Sequence, residues 1–327
     1  MPRFRLRAEA ETEGDIIMAY QLMEVNNRAR LDPHGFIVES DAAFAQKVSW
    51  AADLICENMR RSPIVLLSGP SGSGKTTTAL KIEEDLRKRG ILTHTIAMDN
   101  YYKPAGEAMP RTSEGEIDLE SPLCLDMDLL NEHFTQLSEG EKIYVPKYNF
   151  GIRERLAEPS KTLRIGPEEI VIFEGIHALN DMITDVHPEA FKLYISARSN
   201  IASGVKICFK GTWMRLVRRT VRDNLFRGAN AGVTLGMWAN VRRGEKAFIS
   251  PFKNKADLLF DSSLPYEVPV MKNLACRLFS EIPEAVERHE ELRSIIPAFD
   301  LFTGIDPDVV RPNSLLREFI GGGIYDS

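Results

Sequence analysis

The residues best equipped for chemistry form one short run, Gly69-Pro70-Ser71-Gly72-Ser73-Gly74-Lys75-Thr76, followed by Thr77. Glycines let a backbone curl closely around phosphate oxygens, because a side chain would block either the dihedrals or the approach. Successive N–H groups and the start of the next helix can then hold the negative charge. Lys75 has the length and charge to reach β- and γ-phosphates, and the Thr76 hydroxyl suits Mg2+. The run fits G-x-x-x-x-G-K-[ST] at every fixed position, a pattern that needs a strand before it and a helix after it. A bare strand-to-helix turn would require neither the lysine nor the hydroxyl. The motif does not choose among the kinases, switches, motors and scaffolds that share it.

Three further groups narrow the choice. Asp99 opens the segment Asp99-Asn100-Tyr101-Tyr102 after a strand-like run. A carboxylate there can take a proton from an attacking hydroxyl or hold a metal-bound water, although an isolated Asp also caps turns. Glu174 follows the apolar run Ile170-Val171-Ile172-Phe173, where a second magnesium anchor is expected. His177, three residues on, is better suited to ordering a loop than to proton transfer. Arg215, Arg218, Arg219 and Arg222 stand at i, i+3, i+4 and i+7, and Arg227 lies just beyond. Such a helix face repels itself unless it meets an anion, and a lid over transferring phosphates would supply one. A solvated surface is the plainer alternative.

These groups need a scaffold. Ile64-Val65-Leu66-Leu67 reads as a buried strand ahead of the loop, and Lys75 to Arg89 as the helix after it. Strands are also expected at 91–97, 170–173, 191–195 and 257–260, with helices at 40–59, 126–137, 213–226 and 234–247, and an irregular stretch at 146–159. Short all-apolar strands separated by helices predict an α/β fold, a doubly wound and mainly parallel sheet covered on both faces. Residues 1–60 read as an N-terminal arm and an amphipathic helix, and residues 61–327 as the phosphate-loop domain with a C-terminal helical extension.

Composition excludes several classes. The 327 residues carry 41 Lys plus Arg against 47 Asp plus Glu, a net charge of −6. An acidic chain without interleaved stacking aromatics is a poor nucleic-acid binder, so no such partner is expected. Hydrophobic residues at 43% allow a large core. Four cysteines without a C-x-x-C pair predict reduced thiols. No apolar run reaches the ~18 residues of a membrane span, and the start lacks a secretory h-region, so a cytoplasmic protein is expected. A homo-oligomer is left open.

Taken together, the segments GPSGSGKTT at 69–77, DNYY at 99–102, PKYNF at 146–150, VIFEGIHALN at 171–180 and RLVRRTVRDNLFRG at 215–228 resemble the uridine kinase and phosphoribulokinase family of P-loop kinases. WANVRRGE at 238–245 and NSLLREFIGG at 313–322 are similar to a bacterial uridine-kinase-like branch that often carries an N-terminal TGS-type domain. No segment here is long enough for that domain, so a shortened member is expected. The resemblance implies a P-loop NTPase-type fold with an arginine-bearing helical lid, ATP as donor with Mg2+, and a small hydroxyl-bearing acceptor. It implies Asp99 as catalytic base, Lys75 on the phosphates, and Thr76, Glu174 and Asp99 at the metal. Arg222 and Arg227 fall on catalytic lid arginines, with Arg219 beside the nucleotide. Gly69, Ser71, Gly72, Ser73, Gly74 and Thr77 complete the nucleotide set. Tyr148 falls on an aromatic that packs against a base, and Asp118, Glu120, Arg153 and His177 complete the acceptor side.

Three departures from the family pattern concern the acceptor. Leu119-Glu120-Ser121-Pro122 replaces FDHP, whose aspartate holds ribose hydroxyls; Arg153 replaces a base-reading histidine; Ala229 replaces a further lid arginine. Uridine or another nucleoside is the default acceptor. A sugar, cyclitol or other polyol is the alternative, and a nucleotide-binding regulator without turnover is the third reading.

Overall fold

A computed structural model describes residues 19–104, 109–113 and 115–325. In chain order, β1 (Ala19–Gln21), α1 (Leu22–Leu31) and α2 (Pro33–Asn58) lead to β2 (Ile64–Ser68), α3 (Lys75–Lys88) and β3 (Leu92–Ala97). Next come α4 (Met127–Ser138), β4 (Ile143–Val145), β5 (Tyr148–Asn149), β6 (Glu154–Arg155), β7 (Lys161–Leu163) and β8 (Glu169–Glu174). They are followed by α5 (Asp181–Thr184), β9 (Phe191–Ser196), β10 (Asn200–Ser203), β11 (Lys206–Phe209), α6 (Gly211–Phe226) and α7 (Ala231–Gly244). The last elements are β12 (Leu258–Asp261), α8 (Glu267–Ser280), α9 (His289–Phe299) and α10 (Arg317–Ile320).

The central sheet has the order β12-β9-β2-β8-β3, and every neighbouring pair is parallel. Alternation along each strand divides the apolar runs between two cores, because successive side chains point to opposite faces. Val65, Leu67, Ile170 and Ile172 pack with α2, α3 and α6–α8. Ile64, Leu66, Val171 and Phe173 pack with α4 on the other face. The expected doubly wound α/β architecture is present, and each expected strand falls within a residue or two of its position.

Other parts differ from expectation for physical reasons. The amphipathic helix starts at Pro33 rather than Ser40, because the Asp32 carboxylate accepts from Gly35 N at 2.8 Å and Pro33 stands at the first helical position. Of the N-terminal arm, residues 1–18 lie outside the described residues, and 19–31 are docked. There β1 pairs in parallel with β10 and extends the β10–β11 hairpin. The stretch at 146–159 is not irregular throughout. It carries the β5–β6 hairpin and leads from β4 to its partner β7. The helix expected to reach 247 ends at Gly244 and continues as a π-helical turn over Glu245–Ile249.

Register fixes the site. Leu67 and Ala97 both stand opposite Glu174, and Ser68 stands opposite Tyr194. The carboxyl ends of the three middle strands and of β3 therefore finish at one level, where ligands bind in open parallel sheets.

Candidate active site

The phosphate loop leaves β2 and enters α3. A Cβ at Gly69 would lie 2.0 Å from the Ile195 carbonyl oxygen, so only glycine lets the loop depart beside β9. Gly74 precedes α3 at φ +77°, a left-handed conformation that other residues adopt at a cost. Three successive carbonyls are held from one side. Arg215 Nε donates to Ser71 O at 3.0 Å, Arg218 Nη1 to Gly72 O at 3.2 Å, and Ser262 Oγ to Ser73 O at 2.5 Å. With its carbonyls so occupied, the loop can offer its N–H groups to an anion.

This bracing splits the arginine face of α6. Arg215 is bidentate to Glu245 at 2.9 and 2.9 Å, and Arg218 to Glu267 at 2.5 and 2.6 Å, with both partners of the second pair fully buried. These two guanidiniums hold the loop and two carboxylates. Arg219, Arg222 and Arg227 instead gather on one carboxylate, Asp223, at 3.3, 2.8 and 3.8 Å. Arg219 also donates to Ser71 Oγ at 2.8 Å. Three guanidiniums share this one carboxylate beside the loop, so each has donors left over that phosphate oxygens could take up.

Opposite them, Lys75 Nζ lies 3.9 Å from Glu174 Oε1 and 3.4 Å from Pro70 O. The Thr76 hydroxyl donates to Glu174 Oε2 at 3.4 Å. Burial pushes the Glu174 carboxyl up to about 7, opposed by Lys75 and reinforced by Asp99. Burial likewise lowers Lys75, whose neighbours include Glu174, Asp99, Glu318 and Arg222. Asp99 stands on a 3-10 turn (Met98–Tyr101) that continues β3, and it is open to the cleft. The protein packed around that cleft still raises its pKa, against Lys75 and Arg227. The sequence-predicted Lys75, Thr76, Asp99, Glu174, Arg222 and Arg227 are thus brought together.

The remaining candidates are less tightly gathered. Asp118 is buried and accepts from Arg243 Nη2 at 2.6 Å. Burial pushes Glu120 up to about 7, with Arg219 opposing and Asp118 reinforcing. His177 is 1% exposed; neither ring nitrogen completes a hydrogen bond, and burial pushes it down to about 4 although the backbones of Phe248 and Glu120 lie close. It is a neutral interior side chain beneath the Glu120 segment. Tyr148 forms an aromatic cluster with Tyr102 (5.5 Å) and Phe150 (4.9 Å). Arg153 lies at φ 55° in the β5–β6 turn and is exposed, near enough to Tyr148 to act on it electrostatically.

Sequence reasoning missed the supports. Arg155 donates to Tyr101 O at 3.0 Å and Tyr102 O at 2.9 Å and pairs with Asp126 at 3.0 Å, which fixes the segment bearing Asp99. Arg243, Ser262 and Glu318 were also unmarked, since each reaches the site only through tertiary packing. Arg243 and Glu318 did lie inside segments with a family resemblance, the one signal that could have found them.

Residues 64–268 match the model of the Phosphoribulokinase / Uridine kinase family. The chain is 32% identical over 204 residues to a uridine kinase of Bacillus pumilus, covering 62% of this chain and 87% of that protein. It is 31% identical over 207 residues to a uridine kinase of Anoxybacillus flavithermus, with 62% and 87% covered. A uridine kinase of Saccharomyces cerevisiae is 30% identical over 202 residues, 61% of this chain and 36% of that protein.

Proposed function

The chain belongs to the phosphoribulokinase/uridine kinase family and is an ATP-dependent phosphotransferase acting on a hydroxyl group, and we propose that its acceptor is uridine or another nucleoside. The observation that carries this reading is the convergence of Lys75, Asp99 and Glu174 at the level where three parallel strands end. Phosphoryl transfer asks the protein mainly for positioning and charge. In this reading the loop N–H groups and Lys75 hold the β- and γ-phosphates, and Arg222 and Arg227 neutralise the group in transfer. Asp99 accepts the proton of the attacking hydroxyl, and the upward shift that the surrounding protein gives it makes it a stronger base than a free carboxylate.

Mg2+ fits the donor set. Thr76 and Glu174 offer oxygen ligands, Asp99 is nearby, and two crowded carboxylates gain from a cation. Among the described residues no group of three or more His, Cys, Asp or Glu forms a ready-made cage. A Mg2+ that shares its ligands with phosphates needs only one or two carboxylates. When bound, the cation would neutralise charge on the phosphate oxygens.

The nucleoside assignment is supported by the Tyr102–Tyr148–Phe150 cluster, in which Phe150 is half exposed and offers a face to a base. A sugar, cyclitol or other polyol is the second reading, favoured by the engagement of Asp118 by Arg243, which removes one acceptor for ribose hydroxyls. No described helix is long and apolar enough to cross a membrane, and the four cysteines are free thiols. A cytoplasmic setting belongs to the same proposal. The test is an ATP-consumption screen across nucleosides, sugars and cyclitols, with each product identified by mass. A phosphorylated nucleoside is expected, and turnover on polyols alone would overturn the assignment.

A further inference from the structure

The amide of Thr77 is the third N–H of α3, ahead of the first intrahelical bond from Thr78 N to Gly74 O. Such leading N–H groups have no partner within the helix, and in a phosphate loop they are the donors that receive phosphate oxygens. Here Thr77 N donates to Glu318 Oε2 at 3.2 Å. Glu318 comes from α10, outside the residues that match the family model. Its carboxylate also acts electrostatically on Lys75, Glu174 and Arg227.

The segment that delivers this carboxylate is fixed. Leu315, Leu316 and Phe319 are buried, and Leu315 Cδ1 lies 2.9 Å from where a Cβ of Gly74 would stand. Arg218 sits 4.9 Å over the Phe319 ring, and Ser314 Oγ is 2.6 Å from the Tyr266 hydroxyl. Arg317 donates to Pro307 O at 3.1 Å and Gly321 O at 3.0 Å. The backbone is therefore held as a wall of the site, whereas the Glu318 side chain is only partly buried. One N–H cannot serve a carboxylate and a phosphate at full strength, and the two acceptors carry charge of the same sign.

We propose that Glu318 is an anionic placeholder of the nucleotide site: its carboxylate holds the Thr77 amide in the free protein and is displaced by a donor phosphate, so it sets nucleotide affinity. The proposal rests on the kinase reading, from which its test is separable. ADP is titrated calorimetrically into the full chain, E318Q and E318A, alongside the unfolding midpoint of each without nucleotide. Removing a charge-assisted bond that binding must break corresponds to roughly tenfold tighter ADP in E318A, with E318Q between it and the parent. The nucleotide-free midpoint moves the opposite way, downward, because the orphan amide loses its partner; a purely structural residue would not raise affinity. If E318A does not fold, E318Q carries the comparison. Unchanged or weaker ADP binding in the variants, with the parent binding normally, overturns the placeholder and leaves the kinase reading standing. Absence of ADP binding in all three overturns both.

Discussion

Glu267→Gln tests whether the loop is braced by a buried charge pair. Arg218 and Glu267 are bidentate at 2.5 and 2.6 Å with no solvent exposure on either side, so water cannot replace a lost partner. Neutralising Glu267 strands a guanidinium whose remaining partners are Gly72 O, Ser262 O and Ser262 Oγ. Removing one member of such a pair costs about 3–5 kcal/mol. With a urea slope of ~3 kcal/mol/M, the unfolding midpoint should fall by roughly 1–1.7 M. Arg218→Met should cost a similar amount by stranding the carboxylate. The double variant carries no unpaired charge, and the amide oxygen of its introduced glutamine can still accept from Leu264 N, the bond Glu267 makes at 2.6 Å. It should recover more than half of the summed loss. The assay is a double-mutant cycle on urea midpoints followed by tryptophan fluorescence. If the double variant loses the sum of the two singles, the pair is not coupled and the bracing argument fails.

Asp99→Asn should lower kcat by about 10²–10⁴ while ADP affinity stays near the parent value, since only the proton acceptor is removed. A drop accounted for by lost Mg·ADP binding in calorimetry would make Asp99 a metal anchor instead. Thr76→Ala should raise the Mg2+ concentration needed for half-maximal rate, and an unchanged metal titration would reduce Thr76 to a helix-start residue. Glu120 has a pKa raised from 4.5 to about 7 by burial, so the folded state holds its proton more tightly than the unfolded chain. Its contribution to stability is present below 4.5 and is lost as pH rises towards 7. Glu120→Gln should flatten the melting temperature over that window, and a slope equal to the parent's would contradict the shift.

Much of the scaffold was legible because its signals are local. Four- to six-residue apolar runs bounded by a turn or helix have few alternatives to a buried parallel strand, and Gly69 to Thr76 is readable without knowing anything distant. The β1–β10 pairing was not legible, since Ala19 meets Asn200 through backbone bonds that leave no mark on composition. Nor could spacing separate Arg215 and Arg218 from Arg219 and Arg222. All four share one helical stripe, and only the positions of Glu245, Glu267 and Asp223 decide which hold the loop and which remain beside the cleft. His177 was legible as a loop-ordering residue, and its full burial agrees with that role more than with direct contact to an acceptor.

The wall contributed by α10 is completed late in synthesis, because α10 is the last element in chain order. Thr77 and Glu318 are separated by 241 residues, so the phosphate loop leaves the ribosome long before the segment that closes it. At 5–20 residues per second the interval is about 12–50 s. Throughout it, the Thr77 amide and the slot later filled by Leu315 are uncovered, and Arg218, once made, lacks the Phe319 ring beneath it. A nascent chain halted between α9 and α10 would carry the whole family-matched core with one side open.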